Sequence, residues 1–124
     1  MSVVIWRDSV AAGDDADAPH EWRLAADAGA TVEWVVRTIQ SARYLASIIG
    51  GRATWIVEGA RPLAVLAQQW TEPRFLVDPA TPIHAVVRAA GSPHLEVRYW
   101  VQVDPDHVFE ALQAGRPLPE RSAR

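Results

Sequence analysis

The stretch EWRLAADAGATVEWVVRTI, residues 21–39, decides the fold. Its first six residues, Glu21 to Ala26, alternate between polar and apolar side chains, which predicts a half-buried strand. A turn follows, and the Thr31 hydroxyl is placed to accept a hydrogen bond from the free backbone amides at the start of a helix. The sequence therefore predicts a strand, a turn and a capped helix in immediate succession.

The helix that begins after Thr31 is predicted to be long. Apolar residues recur at steps of three and four from Val32 to Ile49, and Gly50-Gly51 follows as a helix stop. A helix that breaks after Ser41 and restarts around Tyr44 to Ile48 is the alternative. In both cases an apolar stripe faces the core.

A first strand is predicted from Val3 to Arg7. Apolar residues stand on both of its faces, so we expect this strand to lie inside the sheet and to be covered on both sides. Residues 9–20 then connect it to the strand at Glu21. This connection is polar and has no apolar period, which predicts an exposed acidic loop that carries Asp14, Asp15 and Asp17.

Four more elements follow the helix. The pattern predicts a hairpin with strands Ala53–Val57 and Leu63–Ala67, a short edge strand Phe75–Val77, and a short helix that is capped by Thr81 and runs through Ala90. The fourth element is a strand, His94–Val103, with a core face and a second face. The core face carries Leu95, Val97, Tyr99, Val101 and Val103, and the second carries Glu96, Arg98, Trp100 and Gln102.

The C-terminal part predicts one additional helix. Asp104 and Pro105 form a helix start, an apolar stripe from Val108 to Leu112 follows, and Gly115 is the stop. We expect residues 1–115 to form a single domain and residues 116–124 to form a flexible tail.

Three stretches resemble the ubiquitin-like β-grasp superfamily. Trp22–Val32 is similar to its second strand, turn and threonine-capped helix start, Thr54–Leu63 to its third strand and following turn, and Ala80–Ile83 to the short turn before its last strand. The resemblance covers Val3 to Val103. It implies an α+β fold in which a β-grasp-like mixed sheet packs on one long helix, here with an additional C-terminal helix.

The resemblance does not extend to the chemistry of ubiquitin. Ubiquitins and their sulfur-carrier relatives end in a flexible Gly-Gly, whereas this chain ends in Ser122-Ala-Arg124 and its Gly-Gly stands at positions 50 and 51. We therefore expect neither conjugation to other proteins nor sulfur transfer.

Composition excludes several classes of function. The 124 residues contain no cysteine and no lysine, so neither a thiolate nucleophile nor a catalytic lysine is available. A formal charge of −3 with scattered arginines does not give the basic face that nucleic acid requires. We expect a cytoplasmic protein without a membrane segment, and the absence of lysine and asparagine indicates the GC-rich genome of a bacterium.

Tryptophan and arginine provide the candidate binding residues. The chain has six tryptophans, and both residue types are enriched where proteins bind one another. Trp34 lies off the apolar stripe of the helix, Trp70 is close to Arg74, and Trp100 shares a strand face with Arg98. For Trp100 the alternative is a face covered by the C-terminal helix. Together with the acidic loop, these residues form the predicted partner-binding surfaces.

Acidic and histidine residues give a weaker catalytic hypothesis. Asp104, Asp106 and His107 crowd one helix start, where acid–base or metal chemistry is conceivable, with His94 as a further member. Helix capping already explains both aspartates. We assign no catalytic residue, no metal ligand and no cofactor. The acidic loop could bind a cation, but it lacks the glycine and the distal glutamate of a calcium-binding loop.

The leading hypothesis from sequence is a non-catalytic protein-interaction module, of the kind that serves as an immunity protein or antitoxin, whose acidic surface meets a basic partner such as a toxin or a secretion component. A small enzyme or ligand-binding domain that uses Asp104, Asp106 and His107 is the alternative. A homo-oligomer whose tryptophans face each other is a third hypothesis.

Overall fold

A computed structural model describes residues 1–8, 21–42, 53–88, 93–100 and 103–120. Within these residues six strands form one mixed sheet, accompanied by two α-helices and one short 3-10 helix. The strands are β1 (Ser2–Arg7), β2 (Glu21–Ala25), β3 (Thr54–Glu58), β4 (Pro62–Ala67), β5 (Arg74–Phe75) and β6 (His94–Tyr99), the α-helices are α1 (Val32–Ser41) and α2 (Pro105–Ala114), and the 3-10 helix spans Ile83–Ala85. The predicted α+β class is confirmed.

The strands are arranged in the order β2-β1-β6-β3-β4-β5. β1 and β6 are parallel and the other neighbouring pairs are antiparallel. The predicted hairpin is present as β3 and β4, and β5 is the short edge strand. β1 lies inside the sheet, as its sequence predicts.

The first core lies between the sheet and α1. Val32, Val35, Val36 and Ile39 are fully buried on one side of the helix, and they belong to the same cluster as the inward residues of β1 and β6. The predicted cap is confirmed, because the Trp34 backbone N–H donates to the Thr31 hydroxyl at 3.1 Å. The periodic apolar residues therefore form the predicted buried stripe along α1.

The prediction of one long helix is not confirmed. α1 ends at Ser41, and its final turn is closed by the Ala42 N–H, which donates to the Thr38 carbonyl at 3.0 Å. Both Ser41 and Ala42 are exposed. The end at Ser41 agrees with the alternative prediction that the helix breaks after this residue. The rest of the predicted helix, from residue 43 to Ile49, lies outside the described residues.

The second core lies on the opposite face of the sheet, under α2. Ile56 of β3 and Val65 of β4 are buried there with Val108 of the helix. The Asp104 carboxylate caps α2 by accepting from the Asp106 N–H at 2.9 Å. Gly115 ends the helix in the left-handed conformation with φ 69°, which glycine adopts without a steric penalty. The additional C-terminal helix is confirmed.

Two sequence predictions near this second face need correction. β6 ends at Tyr99 rather than at Val103, because Val103 belongs to the second core and its carbonyl accepts from the buried Thr54 hydroxyl at 2.6 Å. β1 is covered only in part on its second face, where Val4 is buried and Trp6 is 49% exposed, because α2 packs over β3 and β4. Residues 101 and 102 lie outside the described residues.

The predicted short helix before the last strand is reduced to a single 3-10 turn. Pro82, not Thr81, is its N-cap, and no side chain caps it. The chain leaves the helix early because the Val86 carbonyl accepts from the Ala60 N–H at 2.7 Å. This contact brings the backbone so close to Gly59 that a Cβ atom there would lie 2.0 Å from the Val86 oxygen, so only glycine fits. Residues 89 and 90 lie outside the described residues.

In the part of the chain that is described, no helix is long and apolar enough to cross a membrane.

Candidate functional site

The predicted acidic loop is outside the described residues, and with it Asp14, Asp15 and Asp17. The residues at its two ends are described. Asp8 follows the end of β1, and Glu21 begins β2 directly opposite Trp6. Both ends of the connection therefore lie at the same end of the sheet.

Trp100 and Arg98 lie against each other and against the C-terminal segment. Trp100 is 8% exposed, and its indole N–H donates to the Pro119 carbonyl at 2.9 Å. The Arg98 guanidinium lies 5.1 Å from the centre of the Trp100 ring and 3.3 Å from the Glu58 carboxylate. The alternative from the sequence was a face covered by the C-terminal helix, and Trp100 is indeed buried with Val108 of α2 and also contacts Pro119 after it.

Trp70 and Arg74 form a similar internal contact. The Arg74 guanidinium lies 4.2 Å from the centre of the Trp70 ring and 5.9 Å from that of Phe109 in α2. It also donates to the Asp106 carboxylate at 2.7 Å. Arg74 thus joins the edge of the sheet to the start of α2, and its charge is already neutralised.

The candidate catalytic residues do not converge. Asp104 caps α2, Asp106 binds Arg74, and the exposed His107 lies 3.9 Å from the Asp104 carboxylate. His94 begins β6 whereas Asp104 follows its end, so the two are separated by roughly 17 Å of strand or more. Among the described residues no group of three or more acidic or histidine side chains could hold a metal ion.

Trp34 is the predicted binding residue that the structure leaves open. It is 44% exposed on the outer side of α1. It lines a groove of about 360 Å³ with Asp27, Gly29, Ala30 and Thr31. The turn before α1 thus places one carboxylate and one indole ring on the walls of the same concave surface.

The surroundings of this groove, the Trp34 groove, are acidic. The described residues near the first turns of α1 carry four carboxylates, those of Asp27, Glu33, Glu72 and Asp78, and one guanidinium, that of Arg37. Arg37 binds Glu72 and, at 3.1 Å, Glu33. These hydrogen bonds, the one to Glu72 first, raise the pKa of Arg37 above its usual range. Asp27, in the groove itself, has no guanidinium partner among the described residues.

The start of α1 is closed to anions. The Trp34 N–H donates to Thr31, the Val32 N–H to the Thr81 carbonyl at 2.8 Å, and the Glu33 N–H to the Pro79 carbonyl at 3.0 Å. A helix start binds anions through free backbone N–H groups. Since these amides have partners within the protein, the Trp34 groove offers a carboxylate and an aromatic ring instead.

Sequence reasoning missed the exposure of Trp6, which lies on the face of the sheet opposite to α1. Cross-strand register places Glu21 on one side of it and Glu96 on the other, with Glu58 next in the row. Two of these three carboxylates pair with arginines: Arg23 lies 3.5 Å from Glu21, and Arg88 and Arg98 lie 2.6 and 3.3 Å from Glu58. The alternation of side chains along β1 shows which face of the sheet Trp6 occupies. It does not show that α2, on the same face, leaves Trp6 uncovered.

Comparison of the chain with protein-family models, with curated proteins and with solved structures gives no match.

Proposed function

We propose that the protein is a non-catalytic protein-binding domain that recognises its partner through the Trp34 groove. The observation that carries this proposal is the joint placement of Trp34, which is 44% exposed, and Asp27 on one concave surface. Tryptophan provides a large contact area at low conformational cost, which is why it is enriched at the centres of protein interfaces. An exposed tryptophan that supports no core has no comparable structural role.

The charge of this surface favours a basic partner. Among the described residues around the first turns of α1, carboxylates outnumber guanidinium groups. Complementary charge accelerates association and selects among partners. An immunity or antitoxin protein that neutralises a basic toxin in the cytoplasm is the biological role that we propose for such a surface.

We further propose that the fold is of the β-grasp type. Its element order along the chain supports this assignment: two strands, a helix, a hairpin, a two-residue edge strand, a short helical turn and a last strand, to which this chain adds α2. The pairing of β1 with β6 supports it as well, because the first and last strands lie side by side and parallel within the sheet, as they do in β-grasp domains.

Photo-crosslinking in the native host tests the binding function. A photoreactive benzoylphenylalanine replaces Ala28, which is exposed beside the Trp34 groove, or Ala25, which is exposed on β2. We expect a discrete crosslinked partner from position 28 but not from position 25, and we expect its loss when Trp34→Ala is added.

The control is the Trp6→Ala substitution, which removes an equally exposed indole from the opposite face and should leave the crosslink unchanged. Crosslinks that survive Trp34→Ala, or that form equally well at position 25, would contradict the assignment of partner binding to this groove.

A further inference from the structure

We infer that the Trp34 groove binds an arginine side chain presented by a basic segment of a partner protein. This inference rests on the proposed binding function and names the chemistry of its ligand. It follows from three features of the described residues, namely the composition of the groove, the charge around it and an internal contact of the same chemistry elsewhere in the chain.

The internal contact is the cluster of Trp70, Arg74 and Asp106. There a guanidinium lies on an indole ring at 4.2 Å and donates to a carboxylate at 2.7 Å. The planar guanidinium suits both partners, since one of its faces can stack on the ring while its edge donates to the carboxylate oxygens. The cluster shows that this chain uses an indole and a carboxylate together to hold an arginine.

The Trp34 groove contains two of the same three groups. Trp34 supplies the indole and Asp27 the carboxylate, and no guanidinium of the described residues lies on the Trp34 ring. Arg37, the nearest cation on the helix, binds Glu33 and Glu72 instead. The group that is missing from the arrangement is the cation, which a partner can supply.

Other ligand classes fit the groove less well. An anion would meet a carboxylate and backbone amides that already have partners. A metal ion would find one carboxylate where several ligands are needed, and among the described residues no group of three or more acidic or histidine side chains could hold one. An apolar side chain would displace the water that solvates the Asp27 carboxylate and would offer no hydrogen bond in its place, which is unfavourable. A guanidinium satisfies both the ring and the carboxylate.

Gly29 gives a way to close the groove without removing either group. It lines the groove, and a Cβ atom added there meets no atom within 4 Å. A Gly29→Leu substitution should therefore fold normally and fill the space that the ligand needs. The matched control is Ala28→Leu, which adds a similar side chain at the neighbouring exposed position outside the groove.

The experiment titrates the full chain with capped pentapeptides, Gly-Gly-Arg-Gly-Gly and its glutamine counterpart, and follows the Trp34 indole N–H by NMR. We expect saturable binding of the arginine peptide and none of the glutamine peptide. We expect affinity to fall about fivefold or more with Asp27→Asn, through loss of a charge-assisted hydrogen bond, and to be lost with Gly29→Leu. Ala28→Leu should change affinity by less than about twofold.

Equal binding of the two peptides, or an affinity that Asp27→Asn leaves unchanged, would overturn the inference. So would self-association of the protein in sedimentation that Gly29→Leu abolishes, because a second copy would then occupy the groove. Crosslinking at position 28 that depends on Trp34, combined with no binding of the arginine peptide, would refute this inference and leave the proposed function standing.

Discussion

Trp34 and the pair Trp100 and Arg98 were both predicted from sequence as partner-binding residues, and the structure places them in opposite surroundings. Trp100 is 8% exposed and is held by Arg98, Pro119 and α2, whereas Trp34 is 44% exposed beside a carboxylate that has no described cation. The comparison shows that Trp100, which shares a strand face with Arg98, has its partners within the chain. The Trp34 ring has no such contact among the described residues, which is why we propose Trp34 as the residue that meets a partner.

The largest expected difference between the two sites is in stability. Trp100→Ala should lower the free energy of unfolding by about 3–5 kcal/mol, because it empties part of the second core and leaves the Pro119 carbonyl without its donor. Trp34→Ala should change it by less than about 0.5 kcal/mol. Urea unfolding measures both. A large loss for Trp34→Ala would give that residue a structural role and break the comparison.

Removing the cap of α2 should have the next largest effect on the free energy of unfolding, because α2 covers the second core next to Trp100. Asp104→Ala removes the acceptor of the Asp106 N–H and should cost about 1 kcal/mol. Asp104→Asn is the matched control, since asparagine caps helices as well as aspartate does. If both substitutions cost the same amount, a contribution of the negative charge, rather than the cap, would explain the loss.

The contact between Trp70 and Arg74 should contribute a smaller amount. A double-mutant cycle with Trp70→Leu and Arg74→Leu should give a coupling energy of about 0.5–1 kcal/mol, as expected for a partly exposed cation–π contact. The same cycle applied to Trp34 and Arg37 should give none, because Arg37 binds glutamates instead. A coupling near zero for Trp70 and Arg74 would remove the internal precedent for arginine binding.

The smallest effect concerns pH and the first core. Burial raises the pKa of Tyr99 above its ordinary value near 10. The unfolded chain therefore loses this proton at lower pH than the folded chain does, so stability is present below pH 10 and is lost as the pH rises beyond it. Tyr99→Phe should reduce the slope of stability against pH in that range. An unchanged slope would show that other groups cause the alkaline loss.

Much of the fold could be predicted because its local signals are strong. The Thr31 cap, the apolar stripe up to Ile39, the hairpin of β3 and β4, and the cap at Asp104 each depend on residues that are close in sequence. The end of β6 could not be predicted and the end of α1 at Ser41 was predicted only as an alternative, since apolar residues continue beyond both. Tertiary contacts, such as that between Thr54 and the Val103 carbonyl, decide where β6 ends.

The candidate site could be predicted only in part. The position of Trp34 off the apolar stripe indicated its exposure, and the alternation in β6 placed Arg98 and Trp100 on one face. The groove itself depends on where the turn at Asp27 meets the helix start, and the exposure of Trp6 depends on how far α2 extends. The apolar periodicity of a single segment predicts neither the position of this turn relative to the helix nor the extent of α2 over the sheet.

The most direct test of arginine binding at the Trp34 groove is ¹⁹F NMR of the protein labelled with 5-fluorotryptophan, with the six signals assigned by single Trp→Phe substitutions. On addition of the arginine pentapeptide we expect the Trp34 signal to shift and the signals of Trp6, Trp70 and Trp100 to stay in place. A shift at Trp70 or Trp100 without one at Trp34, or equal shifts at Trp6 and Trp34, would contradict the account.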